Sequence, residues 1–129
     1  MTKQTLSHIG QIGITVSDVE KVLPFYKDSL GLDFLFMAGP NLAFLQSGDT
    51  RIMLTTPQGG GAEIGKNSIL YFKTADIEST YQSILDNGGT AERGPEMAAK
   101  MPDHELWLAF VRDPDGNLVG LMQEKPIDE

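Results

Sequence analysis

Val16-Ser17-Asp18-Val19 closes a short alternating apolar run and opens a helix-like pattern, and Thr74-Ala75-Asp76-Ile77 does the same further along the chain. A unit this small cannot bury its own apolar face, so two copies are expected to pack together as a curved sheet that forms a cleft. The cleft is then the place to look for chemistry.

In the first copy, His8 to Val16 reads as a strand. Ile9, Gln11, Gly13 and Thr15 share one face, and Gly10, Ile12, Ile14 and Val16 the other. Turning the second face to the core sends Gln11 to the concave side. Ser17 or Asp18 caps a helix whose stripe is Val19, Val22, Leu23, Tyr26 and Leu30, with Gly31 as its stop and Pro24 as a modest bend. Strands are predicted over 33–37, 42–46 and 51–55. The glycine-rich stretch from Pro57 to Gly65 then links the two copies.

The second copy repeats the order: a strand over 68–73, a helix over 77–85 behind Asp76, and a stop at Gly88-Gly89. Strands around 90–91, 106–112 and 118–123 follow, the last two joined by the turn Asp113-Pro114-Asp115-Gly116-Asn117. Gly94, Pro95 and Pro102 break the pattern between Arg93 and Glu105, which predicts a loop over one end of the cleft. The expected fold class is α+β: tandem βαβββ modules forming a curved mixed sheet around a U-shaped cleft, with helices on the convex side. The whole of 1–129 reads as one domain, with modules over 6–56 and 67–124 and a linker over 57–66.

Composition narrows the function. The chain has 129 residues, the size of one ordinary domain, and contains no cysteine, which removes disulfides, thiolate metal sites and a cysteine nucleophile. Six methionines suit a reducing compartment, and neither a secretory leader nor a membrane span is read, so a cytoplasmic location is expected. Ten basic against eighteen acidic residues give a net charge of -8 without a run of Lys or Arg. Nucleic acid and membrane are therefore not expected as partners. Gly59-Gly60-Gly61 lacks the Gly-Lys-Ser/Thr ending of a phosphate loop, so no nucleotide is indicated.

Of the two histidines, His8 reads as a solvated or capping residue. His104 lies in Met101-Pro102-Asp103-His104-Glu105-Leu106-Trp107, which sets an imidazole, two carboxylates and an indole just ahead of a strand. Alternation gives Glu105 and Trp107 one face and Leu106 and Leu108 the other. If Trp107 lines the cavity, Glu105 shares it and His104 hangs over the rim; otherwise His104 is exposed and Glu105 makes a surface pair. Phe44, Met53, Tyr71 and Trp107 are the strand positions able to line a pocket.

The repeat, the Phe25-Tyr26-x-x-x-Leu30-Gly31-Leu32 signature and the Phe110-x-x-Asp113-Pro114-x-Gly116-Asn117 turn closely resemble the vicinal oxygen chelate superfamily. That superfamily includes glyoxalase I, extradiol dioxygenases, methylmalonyl-CoA epimerase and the bleomycin and fosfomycin resistance proteins. The resemblance implies a cavity between two modules and a homodimer. It also implies metal ligands on the first and last strand of each module, here Gln11, Met53, Ile69 and Gly120. Only Gln11 is a donor of the usual kind, so no metal and no cofactor is expected. The resemblance thus implies a small-molecule binding protein of the bleomycin-resistance type, holding an aromatic or amphipathic organic molecule through Gln11, Phe44, Met53 and Trp107. The alternative is a glyoxalase-like lyase, isomerase or dioxygenase that uses Gln11 with His104 and Glu105 as catalytic groups, a divalent metal being that reading's cofactor. Whether the chain is an enzyme stays open at this point.

Overall fold

The computed structural model describes residues 6, 8–57 and 63–127. The first module comprises β1 (Gln11–Thr15), α1 (Val19–Pro24), a wider helical turn over Phe25–Ser29, then β2 (Asp33–Met37), β3 (Leu42–Ser47) and β4 (Thr50–Thr55). The second comprises β5 (Leu70–Lys73), α2 (Ile77–Asp86), β6 (Thr90–Lys100), β7 (His104–Arg112) and β8 (Leu118–Pro126). Each module folds its own four-stranded mixed sheet, in the orders β1-β4-β3-β2 and β5-β8-β7-β6. In both sheets the first and last strands of the module pair parallel and the remaining pairs are antiparallel.

Local chemistry explains the helix boundaries. Asp18 and Asp76 are extended and accept a hydrogen bond from the amides of Glu20 (3.0 Å) and Ser79 (3.1 Å), satisfying donors that a helix leaves free at its start. Pro24 has no N–H to give. The helix continues past it in a widened turn, in which the Leu30 amide reaches back five residues to the Phe25 carbonyl at 2.9 Å. Gly31 then takes the left-handed conformation, at φ 77°, that ends the helix cheaply.

Strand alternation sorts each sheet into a covered and an open face. Ile14, Ala43, Leu45, Ile52 and Leu54 are buried with Val19 and Val22 of α1, while Ala109, Val111, Val119 and Leu121 are buried with Ile77 and Ile84 of α2. The alternate residues of the same strands lie on the faces turned away from the helices.

One expected loop is a strand. Instead of an irregular segment from Arg93 to Glu105, β6 runs through Gly94 and Pro95 to Lys100 and pairs with β7, which begins at His104. Strand β6 is the outer strand of its sheet, where a missing amide costs no ladder bond, and three register shifts along it absorb the misfit. Only a tight reversal at 101–103 remains, closed by the Met101 amide on the His104 carbonyl at 2.8 Å. The connection predicted over 57–66 falls partly outside the described residues.

The modules are joined by polar contacts as well as apolar ones. Asp113, 3% exposed, accepts through Oδ1 from the amides of Asp115 (2.9 Å) and Asn117 (2.8 Å), and through Oδ2 from Asn117 Nδ2 (2.8 Å) and the Tyr26 hydroxyl (2.7 Å). Asp115 accepts from the Ser17 amide (2.7 Å) and hydroxyl (2.6 Å). Asn67 exchanges hydrogen bonds with the Thr15 amide and carbonyl, both at 3.0 Å, and donates to Asn117 Oδ1 at 2.9 Å. The Asp113–Asn117 turn of the second module therefore grips the β1–α1 junction of the first. Burial, with Asp113 next to it, holds the Tyr26 hydroxyl far above its ordinary pKa of 10.0.

Candidate functional site on the open sheet faces

On the open face of the first sheet, cross-strand register aligns Gln11 with Arg51 and Gly13 with Met53, and Met53 in turn with Phe44. Three residues expected to bind ligand, Gln11, Phe44 and Met53, are thereby brought together. Gln11 accepts from Arg51 Nε through Oε1 at 2.7 Å, and its amide Nε2 lies 3.7 Å from the Met53 sulfur. The Arg51 guanidinium lies 5.1 Å from the centre of the Phe44 ring, and Phe44 stacks on Phe36 with centroids 4.9 Å apart. Phe36 is 49% exposed, so an aromatic surface in this row is open to an incoming molecule. Alternation alone places Arg51 on the face of Met53, but no motif marks a lone arginine, and its role emerges only once β1 pairs with β4.

The open face of the second sheet carries Tyr71, Phe110 and Gly120. Tyr71 and Phe110 meet edge to face at 5.8 Å, and both flank Gly120 in register. A Cβ added at Gly120 would lie 2.6 Å from the Tyr71 ring. His104 is on this face as well. Its Nδ1 is 2.7 Å from Asp103 and its Nε2 is 3.5 Å from Glu124, which also pairs with Lys73 at 3.3 Å. The hydrogen bond and charge of His104 hold the Asp103 carboxyl below its ordinary range.

Glu105 and Trp107 are placed apart from these groups. Ala109 and Val111, both fully buried, fix the covered face of β7, and alternation puts Trp107 and Glu105 on that same side. The indole packs against the core and donates from Nε1 to Glu105 at 3.0 Å. Lys125 caps the ring at 3.9 Å while it bonds Glu78 of α2 at 2.9 Å. Of the residues expected to share a cavity, His104 faces away from Glu105 and Trp107, and neither of these two joins the row around Gln11.

The four positions that the resemblance assigns to a metal do not fit one. Gln11 has its carbonyl oxygen turned to a guanidinium, Met53 offers a thioether, Ile69 is aliphatic and the space over Gly120 is filled by the Tyr71 ring. Hard divalent ions need several oxygen or nitrogen donors at close range. Among the described residues, no group of three or more His, Cys, Asp or Glu side chains could hold a metal ion.

A cavity of about 770 Å³ lies elsewhere. It separates the modules on the helix side, between Ile12 and Ile52 of the first and Leu70, Phe72 and Ile84 of the second. At its margin Thr74 and Thr80 bond each other at 2.6 Å, Thr50 reaches the Ile9 carbonyl at 3.3 Å, and Lys73 reaches Glu124. It has room for a ligand but little to orient one.

Comparison with known proteins bears on the family and the fold. Residues 8–121 match the model of the Glyoxalase/Bleomycin resistance protein/Dioxygenase superfamily. The chain is 31% identical over 124 residues to YraH of Bacillus subtilis, an alignment that covers 84% of this chain and 92% of the relative. It is 34% identical over 121 residues to a probable lactoylglutathione lyase of Synechocystis sp., covering 85% and 90%. A solved member of the superfamily from Sphaerobacter thermophilus superposes with a TM-score of 0.74 at 29% identity, covering 92% of this chain and 98% of that one.

Proposed function

The chain belongs to the Glyoxalase/Bleomycin resistance protein/Dioxygenase superfamily, and from that premise we propose that it binds a small organic molecule on the open face of the first sheet, without the superfamily's usual metal. The observation that carries this is the row Gln11, Arg51, Phe44 and Phe36, which fills with an arginine and two aromatic rings the neighbourhood where a metal ligand set would begin. Met53 stands over Gly13 beside it, with its methyl group 3.5 Å from where a Cβ would be. An aromatic surface with a few fixed polar groups is the composition that gives small ligands both affinity and orientation. A cytoplasmic homodimer, with the chain acting as one domain, completes the proposal. Phe34 and Leu35 on the outer strand β2 leave 37% and 43% of their surface for a partner to cover. Among the described residues, no helix is long and apolar enough to cross a membrane.

A second reading has the relatives behind it more than the first does. One relative carries the name probable lactoylglutathione lyase at 34% identity, which favours a glyoxalase-like lyase or isomerase. His104, between Asp103 and Glu124, is the side chain best placed to exchange a proton in that case, with Gln11 as the polar group on the open face of the other sheet; Glu105, on the covered face, does not share that site.

A pair of measurements separates the two. Thermal-shift screening of planar organic molecules, repeated on Phe44→Ala and Met53→Ala, should give hits that both variants lose. Lactoylglutathione turnover with added divalent metals, lost in His104→Gln, would replace the binding proposal with the lyase.

A further inference from the structure

We infer that the molecule bound on this face carries a carboxylate, held by the outer edge of the Arg51 guanidinium, on an aromatic or otherwise planar body that lies over Phe44, Phe36 and Met53. This deepens the binding proposal and rests on it.

Arg51 is oriented without being neutralised. Its Nε is spent on the Oε1 of Gln11 at 2.7 Å, a neutral amide acceptor, and its plane is steadied by the Phe44 ring at 5.1 Å. Among the described residues no carboxylate pairs with it. The nearest acid in sequence, Asp49 in the turn before β4, makes no ion pair with Arg51, and Asp33, paired with Gln46 on β3, lies two strand spacings away, about 10 Å. In a chain of net charge -8, an exposed arginine held in this way keeps both of its terminal NH2 groups for an incoming anion. A guanidinium fork matches a carboxylate in plane and spacing, where a lysine would present only a point charge. A glutamate at position 11 would have cancelled the charge; the glutamine directs it.

The row also fixes where the rest of the ligand lies. Phe44 and Phe36 stack in continuation of the guanidinium, and Met53 borders Phe44 in register. A molecule whose acid group meets Arg51 therefore sets its planar body on rings and a thioether, both favourable partners for an aromatic. The cavity on the helix side has no unpaired cation to offer at its margin.

The experiment is calorimetric titration of the whole chain with naphthoate and with the isosteric neutral naphthamide, on the parent protein and on Arg51→Gln, Arg51→Lys and Phe44→Ala. Naphthoate should bind about tenfold or more tightly than naphthamide, the usual worth of a hydrogen-bonded charge partner. Arg51→Gln should reduce naphthoate to the level of naphthamide, with a much smaller effect on naphthamide. Arg51→Lys should keep part of the preference, which separates loss of charge from loss of fold. Equal binding of the two probes to the parent, both weakened by Phe44→Ala, would overturn the carboxylate assignment and leave the binding face in place. Binding that ignores Arg51 and Phe44 but disappears when Ile12→Trp fills the helix-side cavity would overturn both, as would no binding of either probe.

Discussion

Replacing Tyr26 by Phe tests whether the two modules are locked together by a buried charged hydrogen bond. The change removes one hydroxyl and no ring, so the edge-to-face contact between Phe25 and residue 26, centroids 5.1 Å apart, survives. Asp113 loses one of its four hydrogen bonds, the 2.7 Å contact from Tyr26, and keeps those from Asp115 and Asn117. A hydrogen bond to a charged group contributes about 1.5–3 kcal/mol. Unfolding entropy of about 2.1 cal/mol/K per residue comes to about 0.27 kcal/mol/K for this length, so a loss of about 2 kcal/mol lowers Tm by about 7 °C. The pH dependence is a sharper check. Because burial and Asp113 raise the folded-state pKa of Tyr26 above the unfolded value, its stabilising contribution is complete below about pH 10 and falls above it. One pH unit above that point, the parent has lost about 1.4 kcal/mol through this group alone, whereas Tyr26→Phe has lost nothing through it. Urea unfolding followed by circular dichroism at pH 8 and pH 11 should therefore show the gap between the two proteins narrowing by about that amount. A gap under about 0.5 kcal/mol at pH 8, or one that is the same at both pH values, would refute the buried Tyr26–Asp113 lock.

Gly120→Ala should cost roughly 1–3 kcal/mol, since its Cβ would stand 2.6 Å from the Tyr71 ring; the cost should shrink in the Tyr71→Ala background, read as a double-mutant cycle by thermal unfolding. Asp76→Ala removes the cap of α2 and should lower stability by about 1 kcal/mol in urea titration, with no effect on the ligand face. Asn67→Ala should cost about 1–3 kcal/mol, because the Thr15 amide and carbonyl, with Thr15 only 3% exposed, would lose a partner each; a midpoint unchanged in urea would show that water replaces the side chain.

Much of this fold is legible in sequence because its signals are local. The caps at Asp18 and Asp76, the stop at Gly31 and the period-two strands around Ile52 and Val111 depend on neighbours a few residues away, and each appears where alternation and capping put it. Strand β6 does not, because Pro95 and Gly94 read as breakers unless the strand is known to be the outer one of its sheet, and that is a property of topology. Trp107 illustrates the same limit at the site. Alternation correctly pairs it with Glu105 on one face, but only the burial of Ala109 and Val111 decides that this face meets α2. Arg51 and Asn67 take hydrogen-bond partners about forty to fifty residues away in the chain, so no local motif marks them.

The open faces answer each other across the repeat in a way that bears on what such a fold can lose and keep. In the first module a side chain of the last strand, Met53, lies over a glycine of the first, Gly13; in the second, a side chain of the first strand, Tyr71, lies over a glycine of the last, Gly120. Each pairing covers exposed backbone with apolar surface at a place where the superfamily resemblance would put a metal ligand. The two substitutions are not equivalent. Met53 is flexible and leaves Gln11 free to orient Arg51, so the first sheet retains a directed positive charge, whereas the Tyr71 ring closes over Gly120 and offers only aromatic surface. A Met53→Glu change would therefore do more than add a carboxylate. Placed two residues along β4 from Arg51 and on the same face, it would draw the guanidinium away from Gln11 and neutralise it, removing the anion preference before any metal had a second ligand to bind.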